Sequence, residues 1–314
     1  MLILGLFSSN YESAGAGIAK NAPKKEGIAL FFDIFFRKFW LMIGLNILFF
    51  LFTIPLWATL PVMYYVSNEK VSLIIVALLL VVFAVSFGPA VAGISKVIRL
   101  FLLGRHSFIV RDFFKGFKQN FGKACLIGIL DIVAVLSAYA GYNVYPAMAV
   151  NYDSKIFYVP LVITFSVVLV ILMMNYYIFL MMTATDLSIK NLIKNSFALA
   201  FVAMKQNIIA TVGVALYAAF LAVLFVYLMP VFMLMIPLFS AVPMWFIVCF
   251  NSYPVIQKYV ITPYYESRGE VNPELTDGSE DIEEETIFED MGGKEKPIEK
   301  PVEKRKKGKG RHIS

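Results

Sequence analysis

The chain has 314 residues, of which 59% are hydrophobic and 16% are charged, and its mean hydropathy is +0.74. Soluble domains are about 45–50% apolar. The apolar residues of this chain are too many to fit inside one water-soluble core. Two cysteines and two histidines are too few for a disulfide framework or a multi-histidine metal site. The composition therefore favours a membrane protein.

Six apolar stretches follow a polar, glycine-bearing lead, and each is long enough to cross a hydrocarbon layer of roughly 30 Å. The predicted spans are residues 40–66, 71–95, 124–150, 156–184, 208–229 and 231–253. Pro55 and Pro61 predict a kink or break in the first span, and Gly88-Pro89 predicts a break near the end of the second. Further prolines predict that the sixth span is irregular.

Three segments that mix basic and aromatic residues each precede a pair of spans: residues 27–39, 96–123 and 185–207. This pattern predicts interfacial helices. The expected fold class is therefore all-α, a polytopic membrane protein with about six transmembrane helices in three hairpins, each with an interfacial helix. The tripeptide KQN at 118–120 and 205–207 suggests that the hairpins form a weak internal repeat. Duplication and convergence both explain such a repeat.

The basic residues are sorted between alternate gaps. Residues 1–39 and the segments 96–123 and 185–207 carry five, seven and three of them, while the intervening gaps carry one, one and none. The positive-inside rule then predicts that both termini and all three interfacial helices are cytoplasmic. We expect a cytoplasmic lead (1–26), a membrane domain (27–260) and a charged, disordered cytoplasmic tail (261–314), because the tail has few apolar residues to bury.

Three polar residues inside the spans form a candidate intramembrane site: Asp131, Asn46 and Asn175. A charge at the bilayer centre costs about 2.5–3.5 kcal/mol, and such residues are often functional. Asn46 lies eight residues past Lys38, as Asp131 lies eight past Lys123. The site could hold a proton or cation, or the residues could form a structural polar layer that joins helices by hydrogen bonds.

The second candidate site is a basic surface that could contact a cytoplasmic partner or anionic lipid headgroups. Its residues are Arg111, Lys115, Lys118 and Lys123. They also act as a topology signal and an interfacial anchor. We find no nucleophile motif, nucleotide-binding loop or paired carboxylates. No catalytic residue, cofactor or metal site is therefore predicted, an enzyme is not expected, and no nucleic-acid partner is expected.

Two blocks of sequence resemble the YesL-like family of bacterial integral membrane proteins, a domain of unknown function. They are the run GLFSSNYESAGAGIAKNAPKKEG with the following FFDIFFRKFWLMIGLNILFFLFTIP, and GPAVAGISKVIRLFLLGRHSFIVRDFFKGFKQNFGKA at 88–124. The resemblance covers about residues 4–260. It implies a multi-pass protein of the bacterial plasma membrane.

Members of that family are often associated with carbohydrate utilisation. The resemblance therefore implies an accessory or regulatory role in sugar uptake, with the lipid bilayer and sugar ABC importer subunits as partners. The residues themselves leave two alternatives open. One is a small-solute transporter, because of Asp131, Asn46 and the proline-bearing spans. The more remote one is a membrane-bound enzyme.

Overall fold

The computed structural model describes residues 25–272 and residue 274, and none of these residues lies in a β-strand. Residues 25–270 form one compact unit. Most of the lead and of the charged tail lies outside the described residues. The predicted domain boundaries near residues 26 and 260 therefore stay predictions.

The helices follow one another in three units. The first unit contains α1 (Gly27–Arg37), α2 (Phe39–Tyr65) and α3 (Glu69–Leu102). The second contains α4 (Ile109–Gln119), α5 (Phe121–Asn151) and α6 (Tyr158–Ala184), with a 3₁₀ turn at Lys155–Phe157 before α6. The third contains α7 (Ile189–Val202), α8 (Met204–Tyr227), α9 (Met229–Phe239) and α10 (Ala241–Ile256), and a π-helical turn Gln257–Ile261 then leads into α11 (Thr262–Glu266).

Five of these helices are long and apolar enough to cross a membrane: α2, α3, α5, α6 with its 3₁₀ turn, and α8. The sixth candidate is a bent pair, in which α9 meets the run Ala241–Glu266 at 53°. The predicted all-α polytopic fold is confirmed, and so is the irregular sixth span. We call the end at which α1, α4 and α7 lead into the spans the elbow end, and the opposite end the hairpin end.

Prolines do not interrupt the first two spans. Pro55 and Pro61 lie inside the continuous α2, and Pro89 lies inside the continuous α3. The predicted break at Gly88-Pro89 is therefore wrong, and so is a break of the first span. In hydrocarbon the other backbone groups have no alternative partner, so the helix continues and loses only the bond that proline cannot donate.

A single non-helical residue separates each of α1, α4 and α7 from the span that follows it. Lys38 separates α1 from α2, Asn120 separates α4 from α5, and Ala203 separates α7 from α8, so the breaks recur at nearly equal spacing along the chain. The first KQN ends at such a break, whereas the second lies inside the first turns of α8. The two tripeptides therefore do not mark the same junction. Asn46 lies little more than two helical turns beyond its break, whereas Asp131 lies three turns beyond its own, so the two are not equivalent positions.

The packed core lies at the elbow end. Nearly every residue of α3 from Gly88 to Phe101 is buried, whereas none from 73 to 87 is. The helices α2, α4, α5, α6 and α10 all contact α3. Towards the hairpin end the spans expose large apolar side chains, among them Leu78, Leu136, Val162 and Leu216. The spans are thus packed around α3 at one end and present an apolar surface, suited to lipid, towards the other.

The contact between α3 and α5 depends on two glycines. A Cβ added at Gly88 would lie 1.9 Å from the carbonyl oxygen of Ala124, and one added at Gly128 would lie 2.7 Å from the Cα of Gly88. Both distances are far inside van der Waals contact with backbone atoms. The backbones therefore touch at this crossing, and no side chain fits between them.

We predict that Gly128→Ala destabilises the protein by about 1–3 kcal/mol, because the added methyl group forces the two helices apart. Gly122 on the same helix is the matched control, since a Cβ there meets nothing within 4 Å. Gly122→Ala should be neutral or stabilise by up to about 1 kcal/mol, since Ala has the higher helix propensity. Thermal unfolding in mild detergent measures both variants. Equal melting temperatures for the two would contradict the backbone contact.

Candidate functional site

The three polar residues of the predicted intramembrane site lie at a similar depth. Asn46, Asp131 and Asn175 each lie about five helical turns from the hairpin end of their own helix, which is at Tyr65 in α2, Asn151 in α5 and Tyr158 in α6. A helix needs about 20 residues, or between five and six turns, to cross the hydrocarbon layer. The polar residues therefore fall near its elbow-side boundary, where a polar group costs less than at the centre.

Asn46 is fully buried, and both polar atoms of its side-chain amide bind the backbone at the break between α9 and α10. Its Nδ2 donates to the carbonyl oxygens of Ile236, at 3.2 Å, and Pro237, at 2.9 Å. Its Oδ1 accepts from the backbone N–H groups of Ala241 and Val242, both at 2.9 Å. These groups flank the bend between α9 and α10. Asn46 therefore replaces intrahelical hydrogen bonds, and its polar atoms are all used by the backbone.

Neighbouring side chains complete the same break. The hydroxyl of Ser240 donates to the carbonyl oxygen of Ile236 at 2.6 Å, and the hydroxyl of Tyr217 donates to that of Phe239. Sequence reasoning predicted an irregular sixth span and a polar Asn46, but it did not connect the two. The signal was present, because prolines spaced through an apolar span leave backbone groups that need a polar partner from another helix.

Asp131 and Asn175 form a pair between α5 and α6. The Asn175 Nδ2 donates to the Asp131 Oδ1 at 2.6 Å, and both side chains are half-buried. The pair lines a cavity of about 500 Å³ whose other walls are mainly aliphatic. The structure thus joins two of the three predicted polar residues and places Asn46 in a different environment.

Two oxygen atoms of this pair keep free hydrogen-bonding capacity. Within the part of the chain that the structure describes, the Asn175 Oδ1 is buried without a partner, and the second Asp131 oxygen accepts no hydrogen bond. No group of three His, Cys, Asp or Glu side chains among the described residues could hold a metal ion. The cavity therefore offers hydrogen-bond acceptors to a donor, on one carboxylate and one amide.

The predicted basic surface lies on α4, whose two sides differ. Phe113 is buried, and the ring of Phe52 on α2 lies 5.0–6.3 Å, between centroids, from the rings of Phe113, Phe114 and Phe117. The aromatic side, which the sequence predicted to be interfacial, therefore packs mainly against protein. The exposed side carries three of the predicted basic residues, Arg111, Lys115 and Lys118.

The fourth basic residue is tied to the fold. Lys123 is half-buried and donates to the carbonyl oxygen of Leu187, at 2.9 Å, in the connection between α6 and α7. Arg99, which sequence reasoning did not single out, has a similar role. It donates to the hydroxyl of Tyr253 at 3.1 Å and to the carbonyl oxygen of Thr183 at 2.8 Å. These contacts link α3 to α10 and to the end of α6, so the elbow end is held by cations as well as by apolar packing.

Charged side chains also form contacts at the start of the fold, on α1 and just before it. Lys25 donates a hydrogen bond to the Asp33 carboxylate, and Arg37 lies 3.6 Å from it. This hydrogen bond, together with the two positive charges, lowers the pKa of the Asp33 carboxyl below its ordinary value. The carboxylate therefore stays charged at neutral pH and links the start of α1 to its last turn.

One family model matches the chain. It is described as a protein of unknown function, DUF624, and it matches residues 42–142, which include Asn46, Asp131 and the whole of α4. No curated protein and no solved structure matches the chain. Along about a third of its length, the chain is thus similar to a family whose function is not known.

We predict that Asn46→Ala destabilises the protein by about 3 kcal/mol or more, because it leaves several buried backbone groups without partners at about 1–3 kcal/mol each. Asn143→Ala is the control, since Asn143 is exposed and donates only to a carbonyl of its own helix. The control should change stability by less than about 0.5 kcal/mol. Thermal unfolding and gel filtration in detergent compare the two. A stable, monodisperse Asn46→Ala protein would show that the break does not need this residue.

Proposed function

We propose that this chain is an integral membrane accessory or regulatory protein of the bacterial plasma membrane, linked to carbohydrate uptake, and that it has no catalytic activity of its own. The observation that carries the proposal is the division of α4 into two sides. Its aromatic side is committed to the core, so Arg111, Lys115 and Lys118 are exposed on a helix that is fixed in place. A fixed, charged surface suits the docking of another protein or of anionic headgroups.

The link to carbohydrate uptake rests on the resemblance to YesL-like proteins. The cytoplasmic location of the elbow end rests on the sorting of basic residues, which the positive-inside rule assigns to the cytoplasm. In that orientation α4 faces the side at which the nucleotide-hydrolysing subunits of an ABC importer lie. We therefore propose importer subunits as the partners and the basic side of α4 as the contact.

A transporter is the second candidate, and the acceptors of Asp131 and Asn175 favour it. The cavity around them is a poor site for a sugar, however. Its walls are mainly aliphatic, and a sugar would lose the water bound to most of its hydroxyl groups without replacement hydrogen bonds. Purified protein in liposomes should therefore show no sugar flux. Sugar flux that Asp131→Asn reduces would favour the transporter instead.

We predict that a photo-crosslinking amino acid at Lys115 captures importer subunits in native membranes, whereas one at the exposed Tyr152, at the hairpin end, does not. The double change Lys115→Glu and Lys118→Glu should reduce capture at least tenfold, or by about 1.4 kcal/mol, because it turns attraction to an acidic partner surface into repulsion. For this test the reactive group is moved to the neighbouring exposed Gln119.

The matched control is Lys70→Glu with Lys155→Glu, which reverses two exposed charges at the hairpin end. It should leave capture unchanged. Two results would refute the proposed contact: equal loss of capture in both double variants, or capture that contains no transporter component. Identification of the captured proteins by mass spectrometry gives the answer.

A further inference from the structure

The cavity between α5 and α6 is a groove that is polar at one end and apolar along the rest. Asp131 and Asn175 lie at its elbow side, and Thr164 lies three helical turns from Asn175 towards the hairpin end. At a rise of 5.4 Å per turn that separation is about 16 Å. The walls between are aliphatic, for example Val133, Ile163 and Val167. Because the polar pair lies near the boundary of the hydrocarbon layer, the groove extends from that boundary into the layer.

The groove opens towards the side of the bundle. Its wall residues Leu130, Val133, Ile163 and Val167 are between 49% and 58% exposed. These side chains face the surroundings of the spans, which in a membrane are lipid. The hydroxyl groups of Ser137 and Thr164 donate to carbonyls of their own helices, so the deep part of the groove offers few groups for a polar ligand. A molecule dissolved in the bilayer could enter sideways and place its apolar part there.

The polar end accepts hydrogen bonds and carries a carboxylate. The second oxygen of Asp131 and the buried Oδ1 of Asn175 have no partner within residues 25–272. A group that complements both has several N–H donors and a positive charge, which describes a primary ammonium. Hydrogen bonds between ionised partners are about twice as strong as neutral ones, so this head would be preferred over a hydroxyl. A carboxylate head would be repelled.

We infer that the groove binds an amphiphile with a primary ammonium head, which donates to Asp131 and Asn175 while its hydrocarbon chain lies between α5 and α6. A volume of about 500 Å³ is in the range of pockets that hold small organic molecules. A free alkylamine and the ethanolamine head of a phospholipid share this chemistry. The competing occupant is an ordinary lipid chain that fills the groove without recognition of its head. The inference does not depend on the proposed accessory role.

The first test compares amphiphiles that share the same hydrocarbon chain and differ in their polar head group. Full-length protein in dodecyl maltoside is titrated with decylamine, decanol, decanoate and decyltrimethylammonium, and the melting temperature is recorded. Decylamine should raise it along a saturating curve at concentrations about tenfold lower than decanol needs, which corresponds to one charge-assisted hydrogen bond. Decyltrimethylammonium, which has the charge but no N–H group, should be weaker than decylamine. Equal curves for decylamine and decanol would overturn the inference in favour of chain binding alone.

The second test removes the charge. Asp131→Asn should abolish the preference for decylamine over decanol, and Asn175→Leu should reduce it. Asp153→Asn, an exposed change at the hairpin end, should keep it. A preference that survives in Asp131→Asn would also overturn the inference. If either groove variant fails to fold, the order of the four heads on the unaltered protein decides the question by itself.

A third measurement distinguishes the two sources of the ammonium. Decylamine binding is compared in nanodiscs of phosphatidylcholine and in nanodiscs that contain phosphatidylethanolamine as well. If the lipid headgroup is the occupant, decylamine must displace it, and its apparent affinity falls in the second kind of nanodisc. If the affinity is the same in both, the site prefers a free amine.

Discussion

Backbone-to-backbone contact between α3 and α5 sets the arrangement of the other helices. At Gly88 and Gly128 the two helices touch without intervening side chains. From that crossing α3 continues to Leu102 and is surrounded by protein over most of this length. A helix can be enclosed on all sides only where small residues allow its neighbours to approach, and the stretch 88–95 of α3 includes two glycines, two alanines and a serine. The elbow end is thus packed like a soluble core, whereas the hairpin end depends on lipid to cover it.

The polar residues at the elbow-side boundary serve this arrangement in different ways. Asn46 completes the break between α9 and α10. Asn207 accepts from the hydroxyl of Tyr177 at 2.5 Å and donates to the carbonyl oxygen of Ala200 at 2.9 Å, which joins α6 and α7 to α8. Both side chains are fully buried. Asp131 and Asn175 are the exception, because they satisfy each other only in part and face a groove. An incompletely satisfied polar pair is costly unless something else binds it, and this asymmetry is why function is assigned to Asp131 and not to Asn46.

Local signals in the sequence predicted the helices well and their contacts poorly. Apolar length predicted six spans close to where the structure has them, because a hydrocarbon layer requires such lengths. Proline misled at Pro89, because its neighbours keep the helix intact. The bonds of Asn46 to a distant part of the chain, and the fit of Gly88 to Gly128, depend on which helices become neighbours. Neither periodicity nor composition contains that information. Asp131, Asn46 and Asn175 were predicted together as one candidate site, and only the packing of α5 on α6 shows that Asp131 and Asn175 form a pair without Asn46.

The groove reaches the elbow end through α5 and α7. Ile193 of α7 lines the groove, next to the basic Lys194 on the surface of the elbow end. Lys123, two turns before Asp131 on α5, donates to Leu187 immediately before α7. A molecule in the groove would therefore contact both α5 and α7, which carry charged groups of the elbow end. Such a ligand changes the position of α7 only if it binds two arrangements of α7 with different affinity.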